Sequence, residues 1–217
     1  MFQRLDKLRL LGYVPDTVLD IGAYYGTWTM ECKKIFPNAT YYLFEPIAYP
    51  DLNNLKMLPN TNVFQTLLHN TEEEIDWYEM QNTGDSIYRE KTHCFQNCTP
   101  VKKRTTLLHK YMDQYLSQME HVLIKIDCQG AEIPILQGAG NILKKTDFIL
   151  LEMPLFGQYN ENVPTFLQHI QYMDLIGFVP FDIVDIHDIK NYPLQIDMLF
   201  ISKKHPFNQH VQSLLMT

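Results

Sequence analysis

Four carboxylates in this 217-residue chain stand at the ends of apolar, strand-like stretches: Asp20, Glu45, Asp127 and Glu152. If these strands are parallel, their carboxyl ends meet at one edge of a sheet, where open α/β folds bind ligands. Like charges that gather at one edge repel each other, so a stabilising role does not explain them. Carboxylates in such a place can accept hydrogen bonds from hydroxyl groups or pair with a cation. The pattern therefore predicts a binding or catalytic crevice.

A glycine loop follows the first carboxylate. Asp20 is followed by Gly22, Ala23 and Gly26, and a strand, a glycine loop and a helix in succession form the nucleotide-binding corner of doubly wound sheets. Dinucleotide-binding loops carry glycine where this chain has Asp20. A carboxylate there repels pyrophosphate but suits an ammonium group, and S-adenosylmethionine (SAM) presents adenosine at one end and a cationic tail at the other. The alternative is an ordinary turn whose glycines only supply positive φ.

Two further strand ends are candidates for binding the nucleoside. Glu45, followed by Pro46, lies about 20 residues beyond the glycine loop, where nucleotide folds place a ribose-binding acid. No Arg or Lys adjoins it to receive a 2′-phosphate, so we expect Glu45 to accept hydrogen bonds from both ribose hydroxyls. His69 and Asn70 end the third strand at the same edge. They are positioned to meet an adenine, or are satisfied by their own backbone.

Alternating strand and helix patterns supply the elements that must position these residues. Apolar, β-branched runs bounded by turn residues predict strands, and apolar residues at helical spacing predict helices. Only a short loop over 185–195 separates the last two strands, so they are antiparallel. We predict an α/β, Rossmann-like doubly wound sheet, mostly parallel with an antiparallel last strand. The strands are expected at 17–19, 39–44, 63–68, 122–126, 148–151, 178–184 and 198–201, and the helices at 27–36, 51–58, 107–117, 130–138 and 163–177.

The remaining segments predict the domain organisation. Residues 1–16 contain a short amphipathic helix, and residues 17–217 are expected to form a single catalytic domain. Alternation over 74–80 and a short strand over 99–106 indicate a β-rich insertion near 74–106 that covers one edge of the sheet. We expect this insertion to shape the pocket of the second substrate.

Composition excludes several classes of partner. A net charge of −7 argues against nucleic acid, whose phosphates usually demand a basic face. No apolar run approaches the length of a membrane span and the N-terminus lacks the form of a signal peptide, so we expect a cytoplasmic protein. The four cysteines are expected to be free thiols. His93, Cys94 and Cys98 resemble half of a zinc site, but no second half of suitable spacing follows.

Several of these segments together resemble one enzyme family. Residues 123–132 (LIKIDCQGAE) and 135–139 (ILQGA) closely resemble the most specific segment of the FkbM-type methyltransferases. Residues 18–23 with Gly26 resemble the first motif of that family, and residues 44–46 its second. Residues 150–152 and 197–200 are also similar. The resemblance spans nearly the whole chain and implies a class I SAM-dependent fold, in a family whose better-known members methylate hydroxyls of sugars or polyketides.

The chain departs from the family pattern at two places. Tyr24 stands where the family usually has Asn, and Leu108 stands where it usually has Asp, followed by His109. The lost acid puts a metal-binding or acceptor-binding role at that place in doubt. His109 is a candidate to replace it as a base, although a surface histidine on a helix is the simpler interpretation.

We therefore interpret the chain as a SAM-dependent O-methyltransferase that acts on a hydroxyl of a sugar, glycan or small metabolite. A hydroxyl needs a base, which typically contributes about 10²- to 10⁴-fold. Asp127 is the first candidate for the base or for the group that orients the acceptor, and Glu152 is the second; Lys125 partly offsets their charge. The two carboxylates suit Mg²⁺ as well, but nothing in the sequence supports Mg²⁺ directly, and no metal ligand is assigned.

Two other functions stay open at this point. A nicotinamide-dependent oxidoreductase has the same fold class, but Asp20 in place of the first glycine argues against it. A non-catalytic nucleotide-binding module is the second alternative. The identity of the methyl acceptor and the oligomeric state do not follow from the sequence.

Overall fold

A computed structural model describes residues 1–215 of the chain. These residues form ten strands: β1 (Thr17–Ile21), β2 (Thr40–Glu45), β3 (Thr61–Gln65), β4 (Leu67–Leu68), β5 (Glu74–Trp77), β6 (Val101–Thr106), β7 (Val122–Ile126), β8 (Thr146–Pro154), β9 (Phe178–Ile189) and β10 (Tyr192–Ser202). They also form seven α-helices: α1 (Phe2–Leu10), α2 (Thr27–Ile35), α3 (Pro50–Leu55), α4 (Leu108–Met112), α5 (Glu132–Gln137), α6 (Phe166–Leu175) and α7 (Pro206–Leu214).

A seven-stranded sheet in the order β3-β2-β1-β7-β8-β10-β9 forms the centre of the molecule. The first five strands of this order are parallel, and β10 runs antiparallel to both of its neighbours. The chain moves outward from β1 in one direction and later returns to β1 to continue in the other. This reversal places a crevice outside the carboxyl ends of β1 and β7. The predicted doubly wound sheet with an antiparallel end is confirmed.

Both faces of the sheet are covered, which explains why its strands read as continuous apolar runs. Every residue of β1 and of β7 is buried. Leu19 and Ile124 belong to a hydrophobic cluster on one face, together with α5 and the apolar side of α6. Val18 and Leu123 belong to a second cluster on the other face, together with α1, α2 and α3. No helix in the described part of the chain is long and apolar enough to cross a membrane.

The third predicted strand is too long. A single strand was expected over 63–68, but β3 ends at Gln65 and the chain leaves the main sheet at Thr66, whose N–H donates to the Glu45 carbonyl at 3.1 Å. Leu67 and Leu68 then pair with Thr105 and Thr106 as β4 of a second sheet. The helix predicted over 107–117 is likewise shorter, because α4 ends at Met112 and a 3-10 helix continues to Gln118.

The loop predicted over 185–195 is instead a tight hairpin. Strands β9 and β10 extend to Ile189 and Tyr192, and the two residues between them, Lys190 and Asn191, have φ of +50° and +67°. Two successive positive φ angles are typical of a type I′ turn, whose twist matches that of the flanking strands. The expected antiparallel pairing is correct. The two-residue turn was not predicted because Lys190 stands at the first turn position, where Asn, Asp or Gly is usual.

The second sheet has the order β4-β6-β5 and is built largely from residues 74–106. Strands β5 and β6 are antiparallel. Lys102 Nζ lies 2.8 Å from Asp76 of β5, and Lys103 Nζ lies 2.6 Å from Glu79, two residues after β5. These pairs account for the two lysines of the basic cluster at 102–104. The loop that follows β5 reaches the carboxyl edge of the central sheet.

Candidate active site

A cleft that is open to solvent at its mouth lies at the carboxyl ends of β1, β2 and β7. Its walls come from the glycine loop, the residues after β2 and β7, and the insertion. Gly22, Glu45, Pro46 and Asp127 line it as expected, together with Gln129. No Lys or Arg contributes to this lining within residues 1–215. The cleft is therefore acidic, which disfavours a pyrophosphate and favours a cation.

Glu45 is the buried carboxylate of the cleft. Its Oε2 accepts the Tyr24 N–H at 2.9 Å, and its Oε1 accepts the Ile47 N–H at 3.0 Å. Burial raises the pKa of Glu45 to about 6, although these two backbone donors and Lys125 act in the opposite direction. Each carboxylate oxygen keeps a second lone pair that can accept a hydroxyl. The side chain is thus held rigidly and can still bind a diol.

We predict that SAM affinity depends on the charge of Glu45. Glu45→Ala is expected to weaken binding by about 1.5 to 3 kcal/mol, the range for hydrogen bonds to a charged group. Wild-type affinity is expected to fall as the pH drops through about 6, where the carboxylate takes up a proton. Calorimetric SAM titrations between pH 5 and 8 measure both effects.

Two controls separate this effect from unfolding. Because the folded-state pKa of Glu45 is raised, the folded protein binds the proton more tightly than the unfolded chain, and protonation of Glu45 stabilises the fold. A loss of affinity near pH 6 therefore does not come from Glu45-linked unfolding. Glu31→Ala, at a solvent-exposed residue of α2, is the matched control and should bind SAM normally. Unchanged affinity in Glu45→Ala contradicts the ribose assignment.

Asp20 does not face the cleft as expected. It lies inside β1, fully buried, and its carboxylate is 3.1 Å from the Lys125 ammonium and accepts the Thr29 hydroxyl at 2.7 Å. Lys125 also donates to the Gly22 carbonyl at 2.8 Å. Burial alone would lower the pKa of Lys125, but Asp20 and Asp127 outweigh it and raise the pKa. The cation that Asp20 attracts is therefore Lys125 of the same chain, and not an ammonium group of a ligand.

The glycine loop is shaped by contacts within the protein. Gly22 has φ of +74°, and a Cβ there would lie 2.0 Å from the Asp127 carbonyl oxygen. The N–H groups of Gly22 and Ala23 both donate to the Phe44 carbonyl, and Ala23 is buried outside the cleft lining. At Gly26, with φ of +77°, a Cβ would meet the Leu55 side chain. Glycine is needed at position 22 because the loops after β1 and β7 approach each other closely there.

Three tyrosines stand beside the glycine loop. The rings of Tyr24 and Tyr25 are 3.9 Å apart, and Tyr49 meets both rings edge-on. Tyr24 adopts φ of +50°, a conformation that suits the Asn usual in the family better than an aromatic residue. The hydrogen bond to Tyr25, followed by burial, raises the pKa of Tyr24 to about 12. Tyr24 and Tyr49 line the cleft, so the departure from the family pattern places an aromatic wall there.

His69 and Asn70 lie outside the cleft. The His69 N–H donates to the Thr106 carbonyl at 2.8 Å, and the Asn70 amide donates to Gln137 at 2.6 Å. Because β3 ends early, the preceding residues Thr66, Leu67 and Leu68 line the cleft in their place. The expected adenine contact from His69 and Asn70 therefore does not fit this geometry.

The insertion supplies one wall of the cleft. The sequence predicted the insertion but did not identify which of its residues line the wall. Ser86 anchors it, since its buried hydroxyl lies 3.3 Å from the Cys128 carbonyl and 3.0 Å from the Gln129 carbonyl. Asp85 Oδ1 accepts the Met80 N–H at 2.7 Å, while Asp85 Oδ2 has no hydrogen-bond partner among the described residues. The other lining residues from this segment are Trp77, Asn82, Thr83 and Ile87.

Asp127 and Glu152 are joined by one side chain. The Gln129 amide donates to Asp127 Oδ1 at 3.1 Å and to Glu152 Oε2 at 2.6 Å. Asp127 lines the cleft and is 40% exposed, whereas Glu152 lies behind Gln129 and is not part of the lining. Burial, together with the charges of Asp127 and Asp197, raises the pKa of Glu152 well above its usual range. The geometry favours Asp127 over Glu152 as the group that meets a substrate.

Glu132, which appeared above only as part of the resemblance, holds the loop that carries Asp127. It is buried, and its Oε1 accepts the N–H groups of Cys128 at 2.9 Å and Gly130 at 3.2 Å. Its Oε2 lies 3.7 Å from Nε2 of the buried His169. The His169 Nδ1–H donates to the Thr165 carbonyl at 2.9 Å, which fixes the orientation of the ring.

The other candidates from the sequence lie elsewhere. His109 belongs to α4, where its ring is 3.3 Å from Asp113 and its Cβ packs near Gly140, outside the cleft. It is not placed to act as the base. Cys94 is exposed and Cys98 is buried, and all four cysteines are free thiols.

Comparison with known proteins identifies the family. A family model described as the methyltransferase FkbM domain matches residues 20–180. This match covers most of the chain, including the glycine loop, Glu45, Asp127 and Glu152. No curated protein matches the sequence significantly.

Two solved structures superpose on this chain, and the first of them supports the fold. The 1,6-didemethyltoxoflavin-N1-methyltransferase of Burkholderia thailandensis, solved with 1,6-didemethyltoxoflavin and S-adenosylhomocysteine, superposes with a TM-score of 0.51 at 11% identity, over 94% of this chain and 78% of that chain. The magnesium protoporphyrin IX methyltransferase of Synechocystis PCC 6803, with S-adenosylhomocysteine, gives a TM-score of 0.49 at 8% identity, over 93% and 81%. At these identities, the first similarity concerns the fold alone.

Proposed function

Because the chain belongs to the FkbM methyltransferase family, we propose that it transfers the methyl group of SAM to a hydroxyl of a sugar, glycan or small metabolite. The observation that carries this proposal is the position of Glu45. A buried, rigidly held carboxylate ends β2 beside the glycine loop, and Asp127 lies farther along the same cleft. Such an arrangement suits a nucleoside at one end and a reacting group at the other.

The donors and acceptors of the cleft are suited to SAM. Glu45 has lone pairs free for the two ribose hydroxyls, and Leu67 and Leu68 offer an apolar surface to the adenine. The unpartnered Oδ2 of Asp85 can accept an N–H from either amino group of the cofactor. We propose this role for Asp85 in place of Asp20, whose charge is already neutralised by Lys125.

The proposed chemistry depends mainly on positioning. SAM supplies a methyl group that is already activated on a sulfonium, so the protein must align the acceptor oxygen for in-line attack. The Asp127 carboxylate, fixed by the Gln129 amide, accepts the proton of the acceptor hydroxyl as the new bond forms. Being 40% exposed, Asp127 can then release this proton to water.

We also propose that residues 17–217 carry the catalytic domain and that the insertion near 74–106 shapes the acceptor pocket. The side chains from Trp77 to Ile87 in the cleft wall support this role. Residues 1–16 contribute Leu5 and Leu8 to the core shared with α2 and α3, so α1 packs on the sheet and does not cover the cleft.

Calorimetric titration with SAM and with NAD tests the proposal directly. The acidic cleft predicts saturable binding of SAM and none of NAD, because pyrophosphate would meet Glu45, Asp85 and Asp127. Release of S-adenosylhomocysteine is then screened over nucleotide sugars, glycans and hydroxylated metabolites, with amine acceptors included. Binding of NAD alone supports the oxidoreductase, and binding of neither supports a non-catalytic module. Turnover restricted to amines contradicts the O-methylation.

A further inference from the structure

A second group of side chains with metal-binding chemistry lies next to the cleft. Glu152 on β8, His187 on β9 and Asp197 on β10 each offer one ligand atom, and these three atoms lie within 4.8 Å of one another. The sheet register brings them together. Asp197 stands opposite Glu152 across β8 and β10, and His187 stands opposite Gln195, two residues before Asp197. The three side chains therefore project from the same face of the sheet.

The separation of these atoms suits a single ion. His187 Nε2 and Asp197 Oδ2 are 2.9 Å apart. Two adjacent ligands of an octahedral ion, each about 2.1 Å from the metal, are about 3 Å apart, and opposite ligands about 4.2 Å apart. The His187–Asp197 separation matches adjacent ligands, and the 4.8 Å limit on the other separations requires only a small movement of the side chains. Two carboxylates and one imidazole suit Mn²⁺ and, with more water ligands, Mg²⁺.

One imidazole faces the two carboxylates of the group. Asp197 is 4% exposed and pairs with His187 at 2.9 Å. Glu152 is half-buried and receives only the neutral amides of Gln129 and Gln195. Lys125 is already paired with Asp20. Buried carboxylates normally have a cation or coordinate a metal, and within residues 1–215 neither Glu152 nor Asp197 forms an ion pair with Lys or Arg.

We propose that Glu152, His187 and Asp197 bind one divalent cation, Mg²⁺ or Mn²⁺, behind the part of the cleft wall that Gln129 forms. Gln129 links this site to Asp127, because its amide contacts both Asp127 and Glu152. A cation there fixes Glu152 and, through Gln129, the position of Asp127 in the cleft. This last role rests on the proposed function, whereas binding of the cation does not.

The site is tested by titrating the protein with Mn²⁺ in the absence of SAM and acceptor. Electron paramagnetic resonance measures the bound ion. We expect one saturable Mn²⁺ per chain, displaced by Mg²⁺. His187→Gln and Asp197→Asn are each expected to weaken Mn²⁺ binding by at least about tenfold, since even outer-shell changes cost about 10- to 100-fold. His187 is partly exposed, so its replacement keeps the test valid if Asp197→Asn fails to fold.

A second histidine–carboxylate pair provides the matched control. His121 Nδ1 lies 2.8 Å from Asp147, but no third ligand joins this pair among the described residues. His121→Gln should leave Mn²⁺ binding unchanged. The proposal is overturned if Mn²⁺ does not saturate, or if both site variants bind it as the wild type does. Methylation assays with and without a chelator then test the catalytic role separately.

Discussion

Asp127→Asn is expected to lower turnover by about two to four orders of magnitude while SAM affinity stays within a few-fold. The asparagine keeps the shape of the side chain and an oxygen for the Gln129 amide, but it cannot accept the proton of the acceptor hydroxyl. The loss is expected in the transition state and not in cofactor binding, because the ribose contact proposed for Glu45 does not involve Asp127. Single-turnover methyl transfer and SAM calorimetry measure the two quantities separately.

Asp113→Asn is the matched control for this experiment. Asp113 is an exposed aspartate beside His109, outside the cleft, so turnover should stay close to the wild-type value. A large loss in Asp113→Asn would direct attention back to His109. Near-normal turnover in Asp127→Asn rules out its role as a base or as an orienting group, and leaves Glu152 as the next residue to test.

Gly22→Val is expected to abolish SAM binding. A Cβ at this position would lie 2.0 Å from the Asp127 carbonyl oxygen and 3.0 Å from Cys128 Sγ, and the φ of +74° is unfavourable for valine. The contact is with backbone, so a change of rotamer does not relieve it, and the loops after β1 and β7 must separate. That movement displaces both Asp127 and the carbonyl that holds Lys125. SAM titration, with urea unfolding to measure stability, checks the result.

Gly12→Val is the control that separates the effect of backbone strain from the effect of the contact between a Cβ at position 22 and the Asp127 carbonyl. Gly12 has φ of +92°, but no described atom lies within 4 Å of its Cβ position. It should lose only about 1 to 2 kcal/mol of stability and bind SAM normally. If Gly22→Val does not fold, Gly22→Ala serves as the smaller change and should still bind SAM more weakly than Gly12→Ala. Wild-type affinity in the Gly22 variants would show that the loop does not shape the cofactor site.

The central sheet and the placement of Glu45 and Asp127 follow from local sequence patterns. Strands β1, β2 and β7 are largely apolar and buried on both faces, and such runs are visible in any short window. Once these strands are recognised as parallel, the residues at or just after their carboxyl ends must share one edge. Glu45 and Asp127 therefore line the cleft as expected, together with Gly22 and Pro46.

Which of the remaining polar groups contact one another depends on the three-dimensional packing of the chain. Asp20 is neutralised by Lys125 from a neighbouring strand, and His69 and Asn70 leave the cleft because β3 ends at Gln65. A residue at the end of a strand can face the ligand or the protein, and local sequence patterns do not distinguish the two.

Contacts between distant parts of the chain likewise do not follow from local sequence patterns. The register of β8 with β10 brings Glu152 to Asp197, and the position of α6 brings His169 to Glu132. The insertion folds back over the sheet, where Ser86 contacts the Gln129 carbonyl and Asp85 lines the cleft. Each of these pairs joins residues far apart in the chain. Their meeting depends on strand register and crossover geometry, which are set by packing of the whole domain and not by neighbouring residues.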